Sequence, residues 1–273
     1  MPTEAADKKG EHQNVARVAL VLDVLKGSGE QGLRLTDVVE RSGLSVSVIH
    51  RLLNGLVAHG LVDSDEAANR YFVGLKMIGW TASAIGRYGL APFASEVQQQ
   101  LAEDTGDTVY FSLITNKVAV CVDRYIGSFP IRTLTLNVGD QRPLGVGSGS
   151  LALLAFQTET FIDDILTAGK PDRASYGIED DWLKPALARS RDLGFALNEG
   201  KLIKGMSGVA VPVCKSDGTA VAALTVAAIS DRLSGDRLET VVEKLKAGAR
   251  SIEQSAGDIM NSPIIKRHAR QNG

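Results

Sequence analysis

At 273 residues, 44% hydrophobic and 23% charged, the chain is long enough for two domains that each bury a core. No apolar run approaches the roughly twenty residues that span a bilayer, and a net charge of -2 with a pI near 6.1 excludes a protein that coats nucleic acid through an excess of Lys and Arg. Cys121 and Cys214 are too few and too far apart for a disulfide framework or a Cys-based zinc site, which fits a reducing compartment such as the cytoplasm.

The N-terminal residues 1–14 are polar and carry both signs of charge, and are read as a disordered leader without a secretory signal. Val15 to Lys26 has the apolar stripe of a helix that ends at Gly27-Ser28-Gly29. Two short helices follow, joined by a tight turn. Thr36 is placed to cap the first, which Ser42-Gly43 closes; Ser45 caps the second, whose apolar positions Val48, Ile49, Leu52, Leu53, Leu56 and Val57 share one side. Ser47, His50, Arg51 and Asn54 fall on other faces, as in a helix-turn-helix whose second helix enters a DNA major groove. Leu61-Val62 and Tyr71-Phe72-Val73 flank a polar segment and read as a β-hairpin, the wing of such a module, with Arg70 as its basic residue. Residues 1 to 75 nevertheless hold eight basic and ten acidic residues, so affinity for DNA must come from locally placed cations.

Leu75 to Tyr88 reads as a linker helix, and Met77, Ile78, Trp80 and Ile85 give it more apolar surface than a solvated connector needs, which dimerisation explains economically. A helix at Phe93 to Asp104 precedes three strands at Thr108–Thr115, Val118–Tyr125 and Ile131–Val138. The glycine-rich stretch Gly139 to Ser150 runs into an apolar helix at Leu151–Phe156. Further helices are expected at Thr160–Leu166 and Asp181–Leu193, then strands at Phe195–Asn198, Val209–Cys214 and Ala220–Ile229, and a last helix that Ser234 caps. Together these describe an α+β domain, a sheet with helices on one face.

Four stretches in order, GLSVSVIHRLLNGLVAHGLV at 43–62, RYFVG at 70–74, GDQRPLGVGSGSLALLA at 139–155 and RDLGFALNEGKLIKGMSGVAVPV with DGTAVAALTVAA within 191–228, give the chain a close resemblance to the IclR family of bacterial transcription regulators. The resemblance implies a winged helix-turn-helix at 15–74, a linker helix at 75–90, and a GAF-like effector-binding domain at 91–257 with an antiparallel sheet flanked by helices. A flexible tail at 258–273 is expected. It further implies a homodimer, often a dimer of dimers, that binds a pseudo-palindromic operator and answers to a small metabolite. Ser45, Ser47, His50 and Arg51 then resemble the recognition face, Arg34 and Thr36 would meet phosphates, and Val48 could pack on a thymine methyl.

The resemblance places the ligand between the sheet and Gly145–Ser150, where Gly145, Gly147 and Gly149 permit close approach and exposed N–H groups at a helix start suit an anion. The effector expected there is a small organic or aromatic acid. Ser148 and Ser150 could add hydroxyls; Tyr110, Ser112, Cys121 and Asp123 could come from facing strands, and Asn198, Ser207 and Gly208 from the later loop, Gly208 leaving room for a larger ligand. Catalysis has weaker support. GVGSGS lacks the glycine spacing of a dinucleotide fingerprint, no phosphate-loop or nucleophile-elbow motif is present, and His12, His50, His59 and His268 lie outside the body of the second domain. No cofactor and no metal are expected.

Overall fold

The computed structural model describes residues 3–115 and 117–257, without the side chains of residues 3–12, 82 and 84–88, so the tail expected at 258–273 lies outside the described residues. The chain divides into two compact units, Met1–Ala84 and Ile85–Gly273. In the first, α1 (Thr3–Lys26), α2 (Leu35–Ser42) and α3 (Val46–Ala58) are followed by the hairpin of β1 (Val62–Asp65) and β2 (Arg70–Val73) and by the start of α4 (Lys76–Tyr88). Val21, Leu25, Leu33, Val38, Ile49, Leu53, Leu56 and Val62 form the core of this unit. A lone bridge from Leu33 to Tyr71 adds a third short edge to the wing.

Two local expectations need correction. The leader is helical from Thr3 onward, because Ala, Glu, Lys and Gln dominate it and each is a good helix former. Thr36 does not cap α2. The helix starts one residue earlier, at Leu35, and the Arg34 backbone N–H donates to Asp37 Oδ2 at 2.9 Å, the reciprocal half of a capping box.

The second unit begins with α5 (Ala91–Thr105), β3 (Thr108–Thr115), β4 (Val118–Tyr125), the short β5 (Gln141–Pro143) and α6 (Ser148–Ala155). It continues through α7 (Glu159–Ala168), α8 (Lys170–Ala174), α9 (Asp180–Leu193), β6 (Ala196–Glu199), β7 (Met206–Cys214), β8 (Ala220–Ile229) and α10 (Gly235–Ser255). The six strands are antiparallel in the order β5-β4-β3-β8-β7-β6. Helices cover both faces, not one. Val109, Phe111, Val209, Val211, Leu224 and Val226 pack under α5 and α10, while the intervening residues Ala210 and Ala223 pack under α6, as the two-residue period of a strand requires.

The expected strand at Ile131–Val138 is absent. That segment joins no ladder, and the partner of β4 is Gln141–Pro143 instead. Its near end is fixed by a buried charge cluster. Asp107, with a side chain 1% exposed, accepts from Arg232 Nε at 2.8 Å and from Arg237 Nη2 at 2.5 Å, Gly127 N donates to the Asp107 carbonyl, and Arg232 lies over the Phe129 ring at 3.7 Å. Removing the carboxylate would take the charged acceptor from two partly exposed guanidinium groups and leave them only backbone carbonyls. Asp107→Ala should therefore lower the stability of the second unit by about 1–3 kcal/mol, read as an earlier urea midpoint in a transition assigned to that unit.

Candidate functional site

The first candidate surface is the exposed side of α3. Ser45, Ser47, His50, Arg51 and Asn54 are exposed while Ile49, Leu53 and Leu56 are buried, so the helix meets its own core on one side and offers polar groups on the other. The Arg51 guanidinium makes no hydrogen bond or ion pair among the described residues, which leaves its fork available to a guanine edge or a phosphate. His50 Nδ1 lies 3.4 Å from Asn54 Nδ2. Ser45 occupies the N-cap position, but its hydroxyl meets Ser47 Oγ at 3.3 Å; Val48 N donates to the Ser45 carbonyl at 3.0 Å, and the N–H groups of Val46 and Ser47 have no side-chain cap and could face a phosphate. No carboxylate lies on α3 itself, so the acidic balance of the module is carried by other elements.

Two residues of this surface differ from expectation. Val48 is half-buried beside the core, whereas Val46 is 57% exposed and is the better placed methyl-bearing side chain. Arg70 is tied back into the protein: its Nη1 donates to the carbonyls of Gln31 at 2.9 Å and Gly32 at 3.1 Å. It holds the wing against the preceding turn. Arg34 and Thr36 are both exposed at the start of α2.

The second candidate is a cavity of about 80 Å3 in the other unit, on a scale where one water needs roughly 10–15 Å3. Its floor is sheet, with Tyr110 and Ser112 from β3, Cys121 from β4, Thr225 and Ala227 from β8, Gly208 from β7 and Asn198 from β6; Gly147, Ser148, Gly149 and Ser150 bring the start of α6 down on it. The small side chains at 225 and 227 leave the gap, since larger ones would fill it. Gly147 has φ +86°, a backbone state that favours glycine. The first helical bond of α6 runs from Leu151 N to Gly147 O, which leaves the N–H groups of Ser148, Gly149 and Ser150 without an intrahelical acceptor.

Of the twelve expected ligand residues, ten line this cavity and two do not. Gly145 faces away, because a Cβ there would meet Leu183 at 2.9 Å under α9. Asp123 is turned off the pocket face by a β-bulge in the β3–β4 pairing: Ser112 pairs with Cys121, but Phe111 pairs with Asp123, so the extra residue flips the strand's alternation. Gly208 does not enlarge the pocket, since Ser148 Oγ occupies the space 2.5 Å from where its Cβ would stand. Ser150 Oγ is spent on the Val146 carbonyl and Ser207 Oγ on Ser230. By contrast Thr225 Oγ1, Thr133 Oγ1 and Asn198 Nδ2 are buried with no hydrogen-bond partner, and an unpaired buried polar group is costly unless something else completes it.

Sequence reasoning missed Arg142, Thr133, Thr135, Leu136, Leu202, Ile203 and Met206. Arg142 carries the charge of the cavity: Nη2 donates to the Thr135 carbonyl at 2.8 Å, the guanidinium lies 5.8 Å from the Tyr176 ring centroid, and burial pulls its pKa down against the opposing pull of the Tyr176, Tyr110 and Asp140 side chains. Thr225, the lone polar side chain in the apolar run AVAALTVAAI, was the legible signal.

Residues 82–254 match the family described as "Bacterial transcriptional regulator IclR C-terminal", and residues 14–66 match "IclR helix-turn-helix domain". The chain belongs to the IclR family. Among IclR-family proteins it is 24% identical to the HTH-type transcriptional regulator XynR of Escherichia coli, over 90% of this chain and 97% of that one. It is 23% identical to the glycerol operon regulatory protein of Streptomyces coelicolor, over 90% and 96%. Its fold is that of the IclR regulator from Alicyclobacillus acidocaldarius, with TM-score 0.74 and 24% identity over 90% of this chain and 99% of that one. An IclR homologue from Microbacterium hydrocarbonoxydans, solved with 4-hydroxybenzoate, superposes with TM-score 0.73 and 20% identity over 91% and 100%. The relatives are transcriptional regulators and not enzymes, and this IclR-family chain is a regulator with a DNA-binding helix-turn-helix.

The thiols fit that reading. Desolvation by burial pushes the Cys121 pKa up to about 11 and that of Cys214 up to about 12, so both stay protonated where a nucleophile would need to be thiolate. At pH 8 the folded protein should resist iodoacetamide at both cysteines, and mass spectrometry should find both alkylated once urea exposes them.

Proposed function

We propose that the chain is an effector-controlled regulator of a metabolic operon, acting in the cytoplasm as a homodimer or a dimer of dimers on a pseudo-palindromic operator, with a small carboxylate-bearing metabolite as its ligand. The observation that carries the ligand class is the chemistry of the cavity. Unpaired N–H groups at the start of α6, the cation of Arg142 and the partnerless hydroxyls of Thr225 and Thr133 converge on a space otherwise walled by Leu136, Val146, Leu202, Ile203 and Met206. Donors at one side and an apolar remainder suit an organic acid better than a sugar or a hydrocarbon. The 4-hydroxybenzoate in the Microbacterium homologue supports the organic-acid reading, and the glycerol operon named for the Streptomyces relative supports control of a metabolic operon.

Exposed apolar residues favour assembly. Leu75, Ile78 and Trp80 are 73%, 66% and 53% exposed at the start of α4, a run of surface that a second copy would cover. The side chain of Ile85 lies outside the described residues. Two copies would present two α3 helices, which offsets the small number of cations on each.

The deciding experiment is a mobility shift with DNA from upstream of the protein's own coding region, against competitor DNA and then with a panel of small carboxylic and aromatic acids. Arg51→Ala should weaken the shift by about tenfold or more, the 1–3 kcal/mol of one forked base contact, with dimerisation unchanged; equal affinity would remove Arg51 from the interface. Gly149→Ala should keep DNA binding and abolish the response to ligand. Its backbone needs no positive φ, but the added Cβ would stand 2.9 Å from Thr225 Oγ1 and fill the floor of the cavity.

A further inference from the structure

We propose that Arg142 is the residue that selects an anionic ligand and that the same side chain closes the segment 130–138 over it as a strap. This rests on the cavity being an effector site. The strap has two faces: Ile131, Leu134 and Val138 are exposed, while Thr133, Thr135 and Leu136 point into the cavity. Between the backbone bonds of Phe129 to Gly106 and of Gly139 to Cys121, the bonds that hold residues 130–136 all come from side chains. Tyr110 Oη donates to the Thr133 carbonyl and accepts from Thr135 N at 3.1 Å, Arg124 Nη1 donates to the Leu136 carbonyl at 2.8 Å, and Arg142 Nη2 donates to the Thr135 carbonyl at 2.8 Å.

Two of those three anchors, Tyr110 and Arg142, also line the cavity. Strap position and cavity contents therefore act on the same atoms. The Arg142 guanidinium has five N–H donors, and one terminal nitrogen serves the strap while the other, Nη1, lies 3.9 Å from where a Gly147 Cβ would stand, beside the start of α6. A carboxylate held between that nitrogen and the helix start fixes the guanidinium from the pocket side and so fixes Thr135. Thr133 Oγ1, buried and unpaired, supplies the strap's own contact to the ligand. A neutral ligand of the same shape gains the Thr133 contact but adds no restraint to the guanidinium from the pocket side. Charge and closure are thereby coupled through one residue.

The test pairs small acids with their neutral amides, 4-hydroxybenzoate with 4-hydroxybenzamide and pyruvate with pyruvamide, on the full-length protein. Calorimetry reads affinity and hydrogen exchange reads the peptide covering 130–138. In the wild type a bound acid should slow exchange of that peptide at least tenfold more than its amide does. Arg142→Gln should lose at least tenfold in affinity for the acid and little for the amide, with fast strap exchange whether or not acid is present. Tyr110→Phe, which keeps the cation, should loosen the strap while retaining the preference for acid over amide. Equal acid affinity in Arg142→Gln and wild type, or equal strap exchange in the two without ligand, overturns the proposal. Should no acid in the panel bind the wild type, the effector reading for these acids fails with it, and unliganded strap exchange in the two variants still decides whether these side chains hold the strap.

Discussion

The buried start of α6 is the constraint around which the second unit is arranged. Ser148 and Ser150 are buried together with the whole of Leu151–Ala155, so the unpaired N–H groups of its first turn cannot all be satisfied by bulk water. A glycine-rich approach is needed to bring that end down onto the sheet, because a side chain at 149 would collide with Thr225 and one at 208 with Ser148. The closeness of helix to sheet is also what makes the cavity small and its donors convergent.

The sheet separates two tasks by the alternation of its strands. On one face, the large residues Val109, Phe111, Leu224 and Val226 build a dense core with α5 and α10. On the other, Ala210, Ala223, Thr225 and Ala227 keep the surface low under α6. Stability and ligand chemistry thus occupy opposite sides of the same strands, and substitutions on the pocket face can alter recognition while the larger core stays packed.

Most of this architecture is legible in the sequence, because period and punctuation report local structure directly. The helices of the first unit, the wing, and the strands β3, β4, β6, β7 and β8 follow from apolar spacing and from glycine. What the sequence conceals is long-range. Ile131–Val138 has the composition of a strand yet finds no ladder, since Gln141–Pro143 occupies the edge of β4. The bulge that turns Asp123 away leaves no trace in residue type, and Arg142 resembles any surface arginine until the fold carries it beneath Thr135. Arg70 looks like a DNA contact for the same reason: only the folded chain reveals the carbonyls of Gln31 and Gly32 that hold it.

That last arrangement bears on how the first unit meets a polyanion. With Arg70 clamped inward and Asp63, Asp65 and Glu66 exposed around the wing, few phosphates are neutralised when the unit docks, and few condensed counterions leave the duplex. On the proposed docking of α3, binding would draw less of its free energy from ion release and more from the fit of that helix to base edges. A regulator that docks this way would tolerate changes in intracellular salt and discriminate among promoters mainly by sequence, because the charge term that all DNA shares would be small.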